Sequence, residues 1–186
     1  MPFQNTDIPG LLVFEPAVYE DSRGYFFESY NEKIFQKNGI DFRWVQDNQS
    51  SSTYGVIRGL HYQLPPFVQS KLIRVLRGKI LDVAVDIRKD SPTYGKSFTQ
   101  KLSAKNKKQL FIPPGFAHGF SVLSEKAEVL YKCNSFYNKE SEAGIFYNDA
   151  ELNIDWQIPV EKQIVSEKDK TLPSLAQCNN SFVFEN

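Results

Sequence analysis

Apolar and polar side chains alternate most clearly in the stretch KILDVAVDIR, residues 79–88. One face of this segment carries Leu81, Val83, Val85 and Ile87. The opposite face carries Ile80, Asp82, Ala84 and Asp86. A repeat of two residues is the period of a β-strand, so the pattern predicts a strand with one apolar and one mixed face. The preceding stretch KLIRVLR joins it through Arg77-Gly78-Lys79, which predicts a β-hairpin at that turn.

Similar patterns cover most of the chain. Short runs rich in Val, Ile, Phe and Tyr alternate with turn residues at 21–24, 53–55 and 113–115. One helix is predicted in NEKIFQKNG, where Asn31 is a cap and Gly39 a stop signal. After residue 150 the pattern weakens to loops and short helical turns. The chain is therefore predicted to be all-β, an antiparallel sandwich or barrel with a few short helices.

Length and composition limit the classes of function. A chain of 186 residues fits one domain, 1–186, with its core at about 10–170 and a C-terminal tail at 171–186 that docks on a partner or frays. Twenty-two basic residues balance 22 acidic ones, which gives no electrostatic reason to expect nucleic acid or a membrane as a partner. No signal peptide or membrane span is recognised, and two distant cysteines fit a reducing compartment, so we expect a cytoplasmic protein.

Both histidines of the chain lie in predicted strands. In IRGLHYQLPP, residues 57–66, strand periodicity puts Gly59, His61 and Gln63 on one face and Arg58 on the other. His118 lies in FIPPGFAHGF, where a Pro-Pro-Gly turn followed by a strand fits the mouth of a barrel. Taken alone, each histidine is also compatible with a structural role, and for His61 the local segment favours a hydrogen-bonded core or surface histidine.

A metal site is disfavoured by the residues near the histidines. Metal-binding β-barrels usually take two ligands from one strand, as His-x-His or His-x-carboxylate. The corresponding position after His61 is Gln63, which is a poor ligand, and the sequence has no third histidine.

Nine short motifs are more specific in their order than any one of them is alone. They read EDSRGYFFES, VQDNQSSS, GVIRGLHYQ, QSKLIRVLRGKILDVAVDIR, SPTYG, IPPGFAHGF, YKCNSFY, EAGIFYND and SEKD. This series resembles the dTDP-4-dehydrorhamnose 3,5-epimerase family over about residues 10–170. The resemblance implies a cupin-type jelly roll, a homodimer, and a site without metal or organic cofactor. It also implies inversion of C3 and C5 of dTDP-4-dehydro-6-deoxy-D-glucose to give dTDP-4-dehydro-L-rhamnose, in dTDP-L-rhamnose biosynthesis.

The resemblance assigns roles residue by residue. His61 matches the general base, Asp169 the carboxylate paired with it, and Tyr131 the acid that protonates the opposite face. Lys71 matches the cation near the sugar C4 oxygen, and Tyr137 the aromatic ring that stacks on thymine. The other positions that match substrate contacts are Arg23, Glu28, Gln46, Asp47, Asn48, Arg58, His118, Glu142 and Lys168. The chain departs from its relatives in PPFVQS, just before the lysine, where they often carry Ala and Gly.

These residue types suit the chemistry that the resemblance implies. A histidine, with an unperturbed pKa of about 6.5, is available as a neutral base, while a tyrosine, at about 10, keeps a proton to donate. Three alternatives stay open. The first is a single-centre epimerase acting at C3 or C5 of a related dTDP-4-keto-6-deoxysugar. The others are a non-catalytic cupin that binds sugar nucleotides and a metal-dependent cupin oxygenase.

Overall fold

The computed structural model describes residues 2–184. Their regular structure consists of short strands, two short helices and two single turns of 3₁₀ helix. The elements before the first long strand are β1 (Phe3–Asn5), β2 (Leu12–Phe14), β3 (Tyr19–Asp21), β4 (Gly24–Phe26) and α1 (Glu32–Gln36). The central strands are β5 (Gln46–Thr53), β6 (Val56–Gln63), β7 (Lys71–Arg77), β8 (Lys79–Asp86), β9 (Ser97–Ser103), β10 (Gln109–Ile112), β11 (Phe116–Val122) and β12 (Lys126–Cys133). The last elements are β13 (Glu142–Gly144), β14 (Ile164–Val165) and α2 (Glu167–Lys170), with 3₁₀ turns at Val160–Lys162 and Leu175–Gln177.

The longer strands form two sheets that pack face to face. The first sheet has the strand order β1-β2-β10-β7-β12-β5. The second has the order β13-β6-β11-β8-β9, and β14 runs parallel to β6 beside it. Strands β3 and β4 pair separately as a hairpin, as the turn at 21–24 predicts. This arrangement confirms the all-β prediction.

Strands that follow one another in sequence cross between the sheets at three tight turns. The crossings lie at residues 54–55, at Gly78 and at residues 123–125. Alternation between two sheets is jelly-roll topology, which confirms the cupin-type fold. The predicted β7–β8 hairpin is wrong, because β7 pairs with β10 and β12 while β8 pairs with β9 and β11. Gly78 makes the crossing with a φ of 77°, and a side chain there would collide with the carbonyl oxygen of Lys126.

Strand β8 is buried on both faces, as its alternation requires. Ile80 and Ala84 belong to the core between the two sheets. The outward apolar set packs instead against the later part of the chain, including Leu152, Trp156 and Leu175. The loops and short helical turns after residue 150 therefore cover the back of the second sheet.

The C-terminal tail packs on its own chain as far as residue 184. Phe182 lies in the cluster behind the second sheet. The main chain of Lys89 donates to the carbonyl of Phe182 and accepts from the amide of Phe184, both at 2.9 Å. Tyr62, on β6, donates its hydroxyl proton to the carbonyl oxygen of Asn179 at 2.5 Å. The end of the tail, residues 185–186, lies outside the described residues.

Helix α1 begins and ends as the sequence predicts. The side-chain oxygen of Asn31 accepts a hydrogen bond from the backbone of Ile34 at 3.4 Å. Gly39 follows the helix with a φ of 78°. Phe35 is fully buried in an aromatic cluster against the first sheet. In the described part of the chain, neither helix has the length and apolar character of a membrane span.

Candidate active site

A cavity of about 500 Å³ opens between the two sheets. Its walls come from β6 and β11 on one side, β7 and β12 on the other, and residues 164–169. A smaller depression of about 260 Å³ shares three side chains with it, His61, Lys71 and Tyr131. The two depressions therefore form one site around these three residues. Within residues 2–184, no group of three or more His, Cys, Asp or Glu side chains is arranged to hold a metal ion.

The structure brings Asp169, at the far end of the chain, to His61 on β6. Oδ1 of Asp169 lies 2.8 Å from Nε2 of His61, and Oδ2 accepts the backbone N–H of Gly59 at 3.1 Å. The hydroxyl oxygen of Ser166 caps α2 by accepting the N–H of Asp169 at 3.1 Å. Burial alone would raise the pKa of Asp169, but the contacts with His61, Gly59 and Ser166 outweigh it and lower the pKa. The carboxylate beside His61 is therefore ionised.

The carboxylate decides which nitrogen of His61 carries the proton. An ionised carboxylate only accepts hydrogen bonds, so a neutral His61 places its proton on Nε2, towards Asp169. Nδ1 then keeps its lone pair. The side chain of His61 is 31% exposed whereas that of Asp169 is 5% exposed, so the pair presents the imidazole and hides the carboxylate. The arrangement provides a basic nitrogen in the cavity wall.

Tyr131 lines the same cavity from the opposite sheet. It lies on β12 of the first sheet, while His61 lies on β6 of the second. Burial raises the pKa of the Tyr131 phenol, although the nearby Arg58 acts in the other direction. The phenol therefore keeps its proton. A base in one wall and a proton donor in the facing wall suit proton transfer on two faces of one bound ring.

Lys71, the first residue of β7, lines both depressions. Burial lowers the pKa of Lys71, and electrostatic attraction to Cys133, Asp82 and Glu142 opposes the shift. In its protonated form Lys71 is a cation at the junction of the two depressions, where a developing oxyanion would be stabilised.

Arg58 also lines the cavity, on the same side of β6 as His61. The strand periodicity predicts the opposite, and that prediction is wrong. In the pairing of β6 with β11, His118 faces His61 while Phe120 faces Arg58, so β6 contains one extra residue between them. This β-bulge reverses the parity of the strand, and Gly59 permits it with a φ of 114°.

His118 lines the cavity beside β6, and it has a carboxylate partner that the sequence analysis missed. Nε2 of His118 lies 2.8 Å from Oδ1 of Asp82, which is completely buried on β8. Burial lowers the pKa of His118, and Asp82 opposes the shift. The signal was present in the alternation of β8, because Asp82 shares its face with Ile80 and Ala84. A charged residue on a buried face needs a partner.

A hydrogen-bonded rim of five predicted residues surrounds the smaller depression. The hydroxyl of Tyr137 donates to Oε2 of Glu142 at 2.9 Å, and Nζ of Lys168 lies 2.5 Å from the same oxygen. Burial alone would raise the pKa of Glu142, but hydrogen bonds from Lys168 and Tyr137 outweigh it and lower the pKa. The side chain of Gln46 accepts the backbone N–H of Tyr137 and donates to Asn48, both at 2.9 Å. Tyr137 itself is 55% exposed.

Three predicted substrate-contacting residues do not line the cavity. Arg23 lies in the turn of the β3–β4 hairpin, where it pairs with Asp21 at 2.5 Å. Glu28 follows the hairpin and borders a separate surface depression. Asp47 forms an ion pair with Lys132 at 3.1 Å, also in a different depression. The described chain alone therefore does not bring these three side chains to the site.

Comparisons with known proteins agree with this geometry. The family model for dTDP-4-dehydrorhamnose 3,5-epimerase matches residues 5–177. The chain is 55% identical over 165 residues to the enzyme of that name from Shigella flexneri, which covers 88% of this chain and 90% of the relative. The crystal structure of a dTDP-6-deoxy-D-glucose-3,5-epimerase from Legionella pneumophila, in complex with dTDP-4-keto-L-rhamnose, matches with a TM-score of 0.90 and 48% identity over 94% of this chain and 93% of that one. The crystal structure of a 3'-monoepimerase from Streptomyces bikiniensis, in complex with dTDP-quinovose, matches with a TM-score of 0.86 and 32% identity. The match covers 92% of this chain and 86% of that one. The chain belongs to the dTDP-4-dehydrorhamnose 3,5-epimerase family.

Proposed function

We propose that this protein inverts C3 and C5 of dTDP-4-dehydro-6-deoxy-D-glucose and so makes dTDP-4-dehydro-L-rhamnose, a step in dTDP-L-rhamnose biosynthesis. One observation carries the proposal: His61, with Asp169 behind it, and Tyr131 lie in facing walls of one cavity. Membership of the epimerase family supports the choice of substrate and reaction.

The base in the proposed reaction is His61. The ketone at C4 makes the hydrogens on C3 and C5 acidic, because loss of either gives an enolate with its charge on the C4 oxygen. Nδ1 of His61 takes the proton, and the electron pair of the broken C–H bond moves into the enolate. Asp169 holds the tautomer that leaves Nδ1 free and stabilises the imidazolium that forms.

The proton donor is Tyr131, on the opposite face of the sugar. It gives its phenolic proton to the carbanion, a new C–H bond forms on that face, and the centre is inverted. If His61 returned its own proton from the original side, the starting configuration would be restored. Lys71 stabilises the enolate oxygen while the charge is present, a contribution of about 3 kcal/mol for one such donor. His118 lines the same cavity and contacts the sugar.

The nucleotide occupies the rim of the site in this proposal. Arg58 and Lys168 supply cations for the diphosphate, for which the planar guanidinium of arginine is well suited. The exposed ring of Tyr137 offers a flat surface on which thymine stacks. Gln46, Asn48 and Glu142 complete the rim. The position of Asp47, outside the cavity, adds no support for its predicted contact.

The same proposal includes a homodimer in which the β3–β4 hairpin reaches the partner's site. The hairpin exposes Tyr19, Tyr25 and Phe26, which are 67%, 58% and 68% accessible. A cluster of exposed aromatic residues is typical of a protein interface. Arg23 and Glu28 lie on or beside this hairpin, so contacts with the partner's nucleotide would explain why neither lines its own cavity. The single domain and the cytoplasmic location remain predictions.

A reaction in D₂O followed by NMR tests the proposal. We expect deuterium at both C3 and C5, and conversion of the product to dTDP-L-rhamnose when a partner reductase is added. The His61→Ala variant should fold and show neither signal. Deuterium at one centre only would support the single-centre alternative. The similarity to the monoepimerase from Streptomyces bikiniensis is the reason to test for it. No exchange with wild-type enzyme would contradict both.

A further inference from the structure

Asp82 is a buried carboxylate to which the reaction above gives no role. Its side chain is 0% exposed. Oδ1 lies 2.8 Å from Nε2 of His118, and Oδ2 has no hydrogen-bond donor among residues 2–184. Burying an ionised carboxylate is costly unless nearby cations or donors compensate for it. The groups that compensate for Asp82 therefore indicate what it does.

The contact with His118 fixes a tautomer. A carboxylate only accepts hydrogen bonds, so a neutral His118 must carry its proton on Nε2, towards Asp82. Nδ1 is then an acceptor, and His118 lines the cavity. Burial lowers the pKa of His118, and the nearby Lys71 and His61 lower it further, which favours the neutral ring. A neutral ring with a bare Nδ1 accepts a hydrogen bond from a hydroxyl and cannot donate one to a ketone.

We propose that Asp82 is a positioning residue of the epimerase site, which holds His118 as the Nε2–H tautomer. The inference rests on the proposed function and deepens it, because it assigns a role to a residue that does not touch the substrate. The tautomer in turn makes His118 an acceptor for a sugar hydroxyl.

The tautomer can be measured on the wild-type protein without any substrate. The chain has only two histidines, so ¹⁵N-histidine labelling gives two sets of ring signals, and the His61→Ala variant assigns the set of His118. We expect a neutral His118 with its proton on Nε2 at neutral pH. A proton on Nδ1, or a doubly protonated ring, would overturn the proposal. This result does not depend on activity, so a failed epimerase assay would leave it intact.

The assigned role is tested by the histidine signals of the Asp82→Asn variant. Asparagine can turn its NH₂ group towards Nε2, so the ring is no longer restricted to the Nε2–H tautomer, and the His118 signals should shift towards the Nδ1–H form. Asp86→Asn is the matched control, since Asp86 lies on the same face of the same strand but pairs with Arg88 at 2.7 Å. The control should lower the stability and leave the His118 signals unchanged.

His118 signals that stay at their wild-type positions in a folded Asp82→Asn variant would overturn the role assigned to Asp82. The same change in the Asp86→Asn control would also overturn it, because any buried carboxylate of β8 would then suffice.

Discussion

Replacing Asp169 by asparagine removes one charge from the site and almost no volume. In the wild type, Oδ2 accepts the N–H of Gly59 and Oδ1 faces Nε2 of His61. Asparagine has one acceptor and one donor group in place of two acceptors. If its oxygen takes the N–H of Gly59, its NH₂ group faces Nε2, and His61 must move its proton to Nδ1. The nitrogen that should act as the base is then blocked.

The other orientation of the asparagine amide is also unfavourable. Its NH₂ group would then meet the N–H of Gly59, and a buried donor would lose its acceptor. Either arrangement costs about 1–3 kcal/mol. Loss of the charge-assisted hydrogen bond to the imidazolium of His61 adds about 1.5–3 kcal/mol. The sum of about 2.5–6 kcal/mol corresponds to a fall in kcat of about 10²- to 10⁴-fold, since about 1.4 kcal/mol is a factor of ten.

The assay for the Asp169→Asn variant is the initial rate of the reductase-coupled reaction at saturating substrate. Ser166→Ala is the matched control, because it removes the cap on α2 and keeps the carboxylate. It should cost about 1 kcal/mol or less, a fall of roughly fivefold. Equal affinity of both variants for dTDP would show that the site is formed. A folded Asp169→Asn variant with kcat within about threefold of the wild type would refute the reasoning.

Three further predictions concern the donor, the cation and the acid stability. Tyr131→Phe should lose net epimerisation yet keep some solvent exchange, as deuterium NMR will show; unchanged turnover would exclude Tyr131 as the donor. Lys71→Ala should lower kcat by about 10²-fold, with a smaller effect on dTDP affinity in calorimetry; a normal rate would remove Lys71 from the mechanism. Burial alone would raise the pKa of Asp86, but hydrogen bonds led by Arg88 lower it below 3.8. As the pH falls, the unfolded state therefore binds the proton of Asp86 first. The stabilisation that ionised Asp86 gives to the folded state is present above about pH 3.8 and is lost at lower pH. In the Asp86→Asn variant, the free energy of unfolding in urea should therefore fall less steeply as the pH is lowered. An acid limb as steep as that of the wild type would contradict this.

Local sequence patterns predicted where the strands lie better than they predicted which strands pair with each other. The two faces of β8 and the β3–β4 hairpin follow from the period of two and from one turn. The strands that pair with β7 cannot be predicted in this way. A tight glycine turn has the same sequence pattern whether the chain folds back within one sheet or crosses to the other sheet. Only the packing of the complete chain decides between them, and it sends the strand after Gly78 to the second sheet.

The candidate site could also be predicted only in part from the sequence. Motif order identified His61, Lys71 and Tyr131, which the fold brings together. The bulge at Gly59 was not foreseen, since one inserted residue has no signature in apolar periodicity, and it moves Arg58 into the cavity. The role of Asp82 was also missed, because its partner lies on another strand, 36 residues away.

The central claim is that His61 and Tyr131 approach one ketosugar from opposite faces. A crystal structure with a bound dTDP-4-keto-6-deoxysugar tests it most directly. We predict that the sugar lies between the two side chains, with Nδ1 of His61 within about 3.5 Å of C3 or C5 and the Tyr131 hydroxyl on the opposite face of the ring. The Lys71 ammonium group should lie beside the C4 oxygen. A sugar bound outside this cavity, or both side chains on one face of it, would contradict the account.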